Sequence, residues 1–241
     1  MLEPFLRRLN RYGPPSAEER AALIEILTPP AAIPAGHEII RQFSQPRNST
    51  LLISGTVGRL VTLKRGAQQI TALQVPGDFV DLHAFLLGNL DHSIVALSEC
   101  LIATVAHDDL RQITNRYPRL GRSLWFLTLV DAAIHRQWLA VLGRREAVAR
   151  VAHVLCELYV RIKDVGLADD NRFELGLTQV QMADVLGLSA VHINRVAQAL
   201  RRRGLVSWDR HGHVQIRDWA ALEELAEFDP AYLQLEGRRE P

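Results

Sequence analysis

The sequence has little of what several classes of protein require. Its 241 residues include only two cysteines, Cys100 and Cys156, which excludes a disulfide framework and a four-thiolate metal site. The longest apolar stretch near the middle of the chain, from Leu124 to Val130, is far too short to cross a membrane. The 28 basic and 27 acidic residues nearly cancel, so the overall charge does not indicate nucleic acid or a membrane surface as a partner.

The rest of the composition is that of an ordinary folded protein. Apolar residues make up 48% and charged residues 23% of the chain, which excludes an intrinsically disordered protein. The first eight residues, Met1 to Arg8, lack the apolar core of a signal peptide. At about 150 residues per domain, the length predicts one or two domains. We expect a cytoplasmic protein without a membrane partner.

The N-terminal half has the pattern of a β-domain that follows a short helix. Ser16 and Glu19 form a capping box, which predicts a helix from Ala17 to Leu27 with Leu23, Ile24 and Leu27 on its apolar face. From about Ile33 to Val105, short β-type runs alternate with Gly and Pro turns, as in a sandwich or barrel. The sequence therefore predicts an α+β fold that begins with a double-stranded β-helix, or jelly roll.

After Asp109 the apolar period becomes helical and predicts a long dimerisation helix over residues 118–142. Apolar positions recur in steps of four and three, the spacing of a coiled-coil seam that would face a second copy of the chain. The predicted seam is Leu120, Leu124, Leu127, Asp131, Ile134, Trp138 and Val141. Two copies of Asp131 would repel each other there. Alternatively, the register slips by one residue, and Asp131 points to solvent or pairs with Arg136.

The C-terminal region contains a helix-turn-helix pattern. A helix begins after Thr178, Gly187-Leu188-Ser189 makes a tight turn, and a second helix runs from Ala190 to about Arg203. Ala183, Leu188, Ile193, Val196 and Leu200 form the predicted core between the two helices. The hairpin that follows, with its tip at Asp209 to Gly212, has the position of a wing. Residues 178–212 carry a net charge of +3, which favours binding to a phosphate backbone.

This region is therefore predicted to bind double-stranded DNA. The candidate contacts lie at the N-terminal ends of both helices, on the outward face of the second helix and at the wing tip. They are Thr178, Gln179, Ser189, Ala190, Val191, His192, Asn194, Arg195, Gln198, Arg201, Arg202, Arg210 and His211. His211 and His213 flank the glycine of the wing tip, but two histidines without a third ligand predict a turn and no metal site.

The whole layout resembles the Crp/Fnr family of bacterial transcription regulators. Its most specific motifs are Pro76-Gly77-Asp78-Phe79, and Leu186 to Ser189 followed by Asn194-Arg195. The resemblance spans about residues 15 to 225. It implies a sensor β-roll (1–117), the dimerisation helix (118–142) and a winged helix-turn-helix (143–241). It also implies a homodimer that binds an inverted repeat, with RNA polymerase as a further candidate partner.

The family's ligand and base-reading motifs are altered in this sequence. The family's Gly-Glu and Arg-Ser pairs, which bind the ribose and the cyclic phosphate, are matched by Val80-Asp81 and His92-Ser93. Neutral imidazole lacks the permanent charge of a guanidinium, so the phosphate contact is lost. In the recognition helix, Val191 stands where the family has a base-reading Glu, whereas Arg195 matches the family's Arg.

The corresponding effector pocket is predicted to contain Asp81, Leu82, His83, His92, Ser93 and His135. His83 lies close to the position of a haem ligand in the family's gas sensors. The cysteine cluster of the iron–sulfur sensors is absent. No cofactor is predicted, and a cyclic nucleotide and haem stay open as alternatives.

Two other classes of protein are weighed against a DNA-binding regulator. A cupin-like metalloenzyme needs a His-x-His pair with a Glu and a further His, but the histidines of the β-region form no such pair. They are His37, His83, His92 and His107. A nucleotide-regulated interaction module would not need the helix-turn-helix and the wing. The leading interpretation is a homodimeric, sequence-specific transcription regulator that is not an enzyme.

Overall fold

The computed structural model describes residues 1–209 and 212–235 and confirms the predicted α+β fold. Its helices and strands are, in chain order, α1 Glu3–Leu9, α2 Ala17–Glu25, β1 Ala31–Ile33, β2 Glu38–Ile40, β3 Asn48–Ser54, β4 Val57–Thr62, β5 Gln68–Gln74, α3 Ala84–Leu87, β6 Ser93–Ala96, β7 Cys100–Ala106, α4 His107–Arg116, α5 Pro118–Arg144, α6 Ala147–Asp164, β8 Arg172–Glu174, α7 Gln179–Leu186, α8 Ala190–Arg202, β9 Val206–Trp208, β10 His213–Ile216 and α9 Trp219–Ala226. A 3-10 turn, Pro230–Leu233, follows α9. Within the described ranges, no helix has the length and apolar character needed to span a bilayer.

The β-roll consists of two antiparallel sheets. One has the strand order β2-β6-β4-β5 and the other the order β1-β7-β3. Leu52, Val57, Ile94 and Ile102 are buried in its interior. After β5, a turn at Gly77 leads the chain back to β3, where Gly77 N–H donates to Leu52 O over 2.8 Å.

An N-terminal helix that the sequence pattern did not predict covers this turn. In α1, Phe5 and Leu9 are buried, and the ring of Phe5 meets the ring of Phe79 edge-on at 5.3 Å. Gly77 has a φ of +91°, and a Cβ atom at this position would lie 2.7 Å from the backbone carbon of Pro4. The turn and the beginning of the chain are therefore packed as closely as a glycine permits.

The predicted capping box of α2 is present. Ser16 Oγ accepts from Glu19 N–H over 3.1 Å, and Glu19 Oε2 accepts from Ser16 N–H over 2.7 Å. The helix ends at Glu25, before the predicted Leu27. Leu23 is buried as expected, but Ile24 is exposed, so only part of the predicted apolar face packs on the rest of the chain.

The predicted seam of α5 is wrong, because its apolar side chains pack within their own chain. Leu120 and Leu124 belong to the core formed with α1 and α2, whereas Ile134 and Trp138 belong to the core of the C-terminal half. Val141 is buried and Leu127 is half-buried. A heptad spacing identifies a helix face that must be covered, but it does not say whether a second chain or another part of the same chain covers it.

The C-terminal half shares its apolar core with the β-roll. Ile70, Leu73 and Val75 of the β-roll lie in one cluster with buried residues of α6, α7 and α8. Gln69 Nε2 donates to Asp184 O over 2.7 Å and to Val185 O over 2.9 Å, at the carboxyl end of α7. The first helix of the helix-turn-helix is thus docked on strand β5.

The connection between α5 and α6 is tied to the end of α9. Arg145 follows α5 directly. Its guanidinium donates to Ala226 O and, over 2.8 Å, to Glu227 O. This contact joins the end of α9 to the connection that precedes α6.

Two glycines provide a test of this backbone geometry. Gly187 ends α7 in the left-handed region (φ +62°), so Gly187→Ala is expected to lower the free energy of unfolding by about 1 kcal/mol. Gly143 lies in the last turn of α5 with no neighbouring atom within 4 Å of an added Cβ, so Gly143→Ala is expected to raise it by about 0.5–1 kcal/mol. Urea unfolding measures both changes, and equal shifts for the two variants would contradict the assigned turn.

Candidate functional site

The helix-turn-helix is built by capping side chains at the predicted positions. Thr178 Oγ1 accepts from Gln181 N–H over 3.2 Å, and Gln181 Oε1 accepts from Thr178 N–H over 2.7 Å. Ser189 Oγ accepts from His192 N–H over 3.2 Å at the start of α8. These bonds satisfy backbone donors that a helix leaves unpaired at its N-terminal end. Both helices therefore begin where the sequence predicts.

The α8 helix separates a buried face from an outward face. On the inner face, Ile193, Val196 and Leu200 are buried and Ala183 of α7 packs with them, as predicted, while Leu188 is half-buried. The outward residues are exposed: Ala190, Val191, His192, Asn194, Arg195, Gln198, Arg201 and Arg202. This face presents side chains that can contact the edges of bases and phosphates.

The outward polar residues differ in how far the fold already uses them. Gln179 Oε1 accepts from Asn194 Nδ2 over 3.2 Å, and Asn194 Oδ1 accepts from Gln198 Nε2 over 2.8 Å. Arg201 Nη2 donates to Trp208 O over 2.7 Å, so this side chain braces the wing. The guanidinium groups of Arg195 and Arg202 have no hydrogen bond or ion pair with any other residue that the structure describes.

The wing forms as predicted, although its tip is only partly described. Strands β9 and β10 pair with each other, and β8 adds a third strand. Arg210 and His211, both predicted DNA contacts, lie outside the described residues. His213 Nδ1 lies 3.0 Å from Asp209 Oδ2. In the described part of the chain, no cluster of three or more His, Cys, Asp or Glu side chains could hold a metal ion.

The six predicted effector residues do not form one pocket. The rings of His83 and His92 lie 5.2 Å apart, but Asp81 is fully buried and accepts from Thr50 N–H over 2.6 Å. Ser93 Oγ donates to Glu38 Oε1 over 2.6 Å. The prediction is wrong for Asp81 and Ser93, because both side chains are already bonded to other strands of the β-roll.

Burial keeps both imidazoles neutral. The pKa of His83 falls to about 4 because burial opposes its charged form and Arg59 repels the added proton. Burial and Arg59 also lower the pKa of His92, although its Nδ1 lies 2.6 Å from Asp91 Oδ1. Burial raises the pKa of Asp81 to about 7, against the hydrogen bond from the backbone of Thr50. Asp81, which matches the family's ribose-binding Glu, is therefore partly protonated at neutral pH.

A small polar cavity lies where α1, the turn after β5, α5 and α6 meet. Its volume is about 40 Å³, enough for a few waters, whereas pockets for drug-sized ligands have about 300–1,000 Å³. Of the predicted effector residues, Leu82 and His83 line it. It is too small for a cyclic nucleotide or for haem. Its charged lining residues are Arg8, Arg11, Arg59, Arg161, Asp78 and Asp131.

The four arginines of this cavity were not predicted from the sequence. Arg161 Nη2 donates to Asp78 Oδ2 over 2.9 Å, and Arg161 Nη1 donates to Glu157 Oε1 over 3.1 Å. These bonds join α6 of the C-terminal half to the turn of the β-roll. One signal was available for Arg8, since it lies three residues after Phe5 and so on the same helix face.

Asp131 is paired with the β-roll and not with a second chain. Arg59 Nη1 donates to Asp131 Oδ2 over 2.5 Å, and Gln74 Nε2 donates to Asp131 Oδ1 over 3.2 Å. His135, the last predicted effector residue, has its Nδ1 2.8 Å from Asp131 O one turn earlier on α5. The expectations for Asp131, namely the seam and the slipped register in which it points to solvent or pairs with Arg136, are therefore wrong. A partner distant in sequence stabilises its charge.

Comparison with known proteins decides the family. The profile of the Crp-like helix-turn-helix domain matches residues 149–225, and that of the cyclic nucleotide-binding domain matches residues 31–117. A probable transcriptional activator of Rhizobium leguminosarum bv. viciae is 30% identical over 193 residues, which is 80% of this chain and 79% of that protein. The chain belongs to the Crp/Fnr family of bacterial transcription regulators.

Further relatives agree with membership of the Crp/Fnr family. The transcriptional activator protein FnrL of Cereibacter sphaeroides is 26% identical over 211 residues, covering 86% of this chain and 84% of that protein. The structure of FixK2 from Bradyrhizobium japonicum has the same fold, with a TM-score of 0.73 at 22% identity, over 82% of this chain and 96% of that one. This Crp/Fnr regulator is a DNA-binding protein and not an enzyme, so the cupin-like alternative is wrong.

The Arg59–Asp131 pair in this Crp/Fnr protein leads to a prediction about acid stability. Burial would raise the pKa of Asp131, but Arg59, His135 and the hydrogen bonds from Arg59 and Gln74 lower it from 3.8 to about 2. A depressed pKa stabilises the fold above about pH 4, and this stabilisation is lost as the pH falls toward 2. Asp131→Asn should cost about 3 kcal/mol at pH 7, because it leaves Arg59 buried without its charge partner.

Urea unfolding across a pH series measures this effect. The difference between the wild type and Asp131→Asn is expected to be constant above about pH 4 and to shrink below it. Asp108→Asn is the control, because Asp108 pairs with Arg111 on the exposed surface and should matter little. If the difference does not change with pH, the charge of Asp131 does not contribute to the stability of the fold, and the prediction is wrong.

Proposed function

We propose that this chain is a homodimeric, sequence-specific regulator that reads an inverted repeat with α8. In this proposal residues 1–117 sense, residues 118–142 dimerise and residues 143–241 bind DNA. The observation that carries it is the division of α8 into a buried apolar face and an exposed face with Arg195 and Arg202. Such a helix can enter a major groove without disturbing its own packing.

Two positions on α8 are proposed to set the sequence preference. Arg195 is exposed, and a guanidinium can donate two hydrogen bonds to O6 and N7 of guanine. Val191 is 63% exposed and can only make an apolar contact, for example with a thymine methyl group. Because the family's base-reading Glu is replaced by Val191, the target sequence should differ from that of relatives which have the Glu.

A different face of α5 is proposed as the dimer interface. Trp125, Leu129 and Leu139 are 63%, 52% and 73% exposed. Each lies one or two residues after a position of the predicted seam, so the three share a neighbouring face of the helix. Together with Ala132 they form an apolar stripe, which we call the α5 stripe. Arg136 lies on the same face, where its long stem can pack on the stripe while its charge stays in water. Large apolar side chains exposed on one face favour a protein partner.

Two-fold symmetry then determines the form of the operator. Two identical recognition helices require two identical half-sites, with centres about 34–36 Å apart on the DNA. Two of the relatives are named as transcriptional activators, which supports RNA polymerase as a further partner.

The sensor is proposed to lack the phosphate contact of cyclic nucleotide binders. His92 occupies the position of the family's arginine, and its lowered pKa leaves it neutral. A neutral ring that is buried beside His83 offers no fixed charge for a cyclic phosphate.

Selection of bound sequences from a random DNA pool tests the proposed readout. The wild type should select an inverted repeat. Arg195→Ala is expected to cost about 1–3 kcal/mol and to relax the preference at one base pair in each half-site. Arg202→Ala, the matched control further along α8, should weaken all sequences alike and reduce the salt dependence. A uniform loss in Arg195→Ala would remove it as a base reader, and a single motif without a repeat would contradict the symmetric complex.

Sedimentation equilibrium tests the α5 stripe. Leu129→Glu should weaken self-association by at least about tenfold, because it replaces the burial of a Leu side chain, worth about 1.5–3 kcal/mol, by that of a charge. Leu86→Glu is the control, since Leu86 is also exposed, at 81%, but lies on α3. An unchanged dimer constant in Leu129→Glu would place the dimer contact elsewhere.

A further inference from the structure

Arg8 on α1 is a buried charge whose hydrogen-bonding capacity is largely unused. Its side chain is only about 5% exposed, yet its enclosed Nε and Nη2 find no acceptor among the described residues. Nε lies 3.1 Å from Asp78 Oδ1, close enough for an ion pair, but its N–H does not point at that oxygen. A guanidinium has five donors, and donors buried without acceptors are rare in folded proteins.

Two further arginines around the same cavity each have one unsatisfied donor. Arg11 and Arg161 are buried, and the Nε of each also has no acceptor in the described part of the chain. Arg8, Arg11 and Arg161 all line the cavity, together with Arg59. Three arginines with unsatisfied donors thus line one small space.

The carboxylates around the cavity are already occupied by other donors. Of the described lining residues, only Asp78 and Asp131 carry a carboxylate. Asp78 Oδ2 accepts from Arg161 and from Val75 N–H, and Asp131 accepts from Arg59 and Gln74. Glu157 and Asp164 pair with Arg161 and Arg11 but do not line the cavity.

Arg8 is the charged group of the site whose partners are least complete. Burial lowers the pKa of Arg8 to about 10, partly offset by Asp78, so Arg8 stays charged at neutral pH. His83, which also lines the cavity, is neutral and has an enclosed Nε2 without a partner among the described residues. Four guanidinium groups and two carboxylates line the cavity, while Glu157 and Asp164 pair with Arg161 and Arg11 from outside the lining.

We propose that this cavity binds a small oxyanion of about three or four heavy atoms, such as formate, bicarbonate or nitrate. The volume of about 40 Å³ admits a group of this size and excludes a cyclic nucleotide. Planar oxyanions match the fork of a guanidinium, which donates two parallel hydrogen bonds. The anion would supply the acceptors that Arg8, Arg11 and Arg161 lack.

The position of the site connects it to regulation. Arg8 comes from α1, Arg59 from the β-roll and Arg161 from α6 of the DNA-binding half. A bound oxyanion would therefore cross-link the sensor to the DNA-binding half and stabilise their present arrangement. An effect on operator binding rests on the proposed function, whereas the binding of the anion does not.

Isothermal titration and thermal unfolding of the full chain test the site. Formate, bicarbonate and nitrate are each compared with chloride at equal ionic strength, since general screening must be held constant. At least one of the three should bind saturably and raise the melting temperature in proportion to occupancy, while cyclic AMP should not. Equal effects of all anions and chloride, or equal binding of cyclic AMP, would overturn the proposal.

Variants of neighbouring residues on α1 sharpen the test. Arg8→Met should weaken oxyanion binding at least tenfold, so the oxyanion should no longer raise the melting temperature of this variant. Arg7→Met is the matched control, since Arg7 is half-exposed and pairs only with exposed Glu3. If Arg8 only supports the fold through Asp78, Arg8→Met lowers the melting temperature without changing anion affinity, and the proposal fails.

A conservative variant keeps the result decisive if Arg8→Met does not fold. Arg8→Lys preserves the charge but loses the fork, so it should bind the oxyanion more weakly than the wild type. Unchanged affinity in Arg8→Lys would overturn the site. Operator binding is measured in parallel on the same proteins. If the protein binds the oxyanion but not the operator, the proposed function fails and the site stands. If it binds the operator but not the oxyanion, the site fails and the proposed function stands.

Discussion

The carboxylate of Asp78 is the constraint on which the arrangement of the two halves depends. It accepts from Val75 N–H within its own turn and meets Arg161 from α6 and Arg8 from α1. Groups of this kind tolerate burial only when their partners hold them in a fixed geometry. Three segments that are far apart in the sequence must therefore keep one mutual position. The shared apolar core and the docking of α7 on β5 extend that position over the rest of the interface.

The helix-turn-helix could be predicted because local chemistry determines it. Thr178 and Ser189 cap their helices through side-chain oxygens within three residues, and Gly187 takes a backbone conformation that other residues avoid. None of these interactions depends on a distant part of the chain. The capping box of α2 was predictable for the same reason. The turns of the β-roll follow a similar logic, which is why the family resemblance and the fold agree.

The parts that the sequence did not reveal depend on partners distant along the chain. The periodicity of α5 was read correctly, but Trp138 and Ile134 are covered by the same chain and not by a second one. Asp81 matches a ligand-binding carboxylate of the family, but in the fold it accepts a hydrogen bond from Thr50 N–H on β3. Arg8 and Arg161 are separated by most of the chain and meet only in the folded protein. A pattern of residues records which groups need a partner, whereas the fold decides which partner each receives.

The contact between Arg145 and the end of α9 constrains the residue type of the donor more than that of the acceptors. Its acceptors are the main-chain carbonyls of residues 226 and 227, which every amino acid provides. Its donor is a single guanidinium that reaches both oxygens at once, and no other side chain offers the same fork. The bonds to these two carbonyls would therefore survive substitutions at 226 and 227, whereas they would be lost with a residue at 145 that lacks the fork. For these hydrogen bonds, selection would keep Arg at position 145 and would not constrain the residue type at positions 226 and 227.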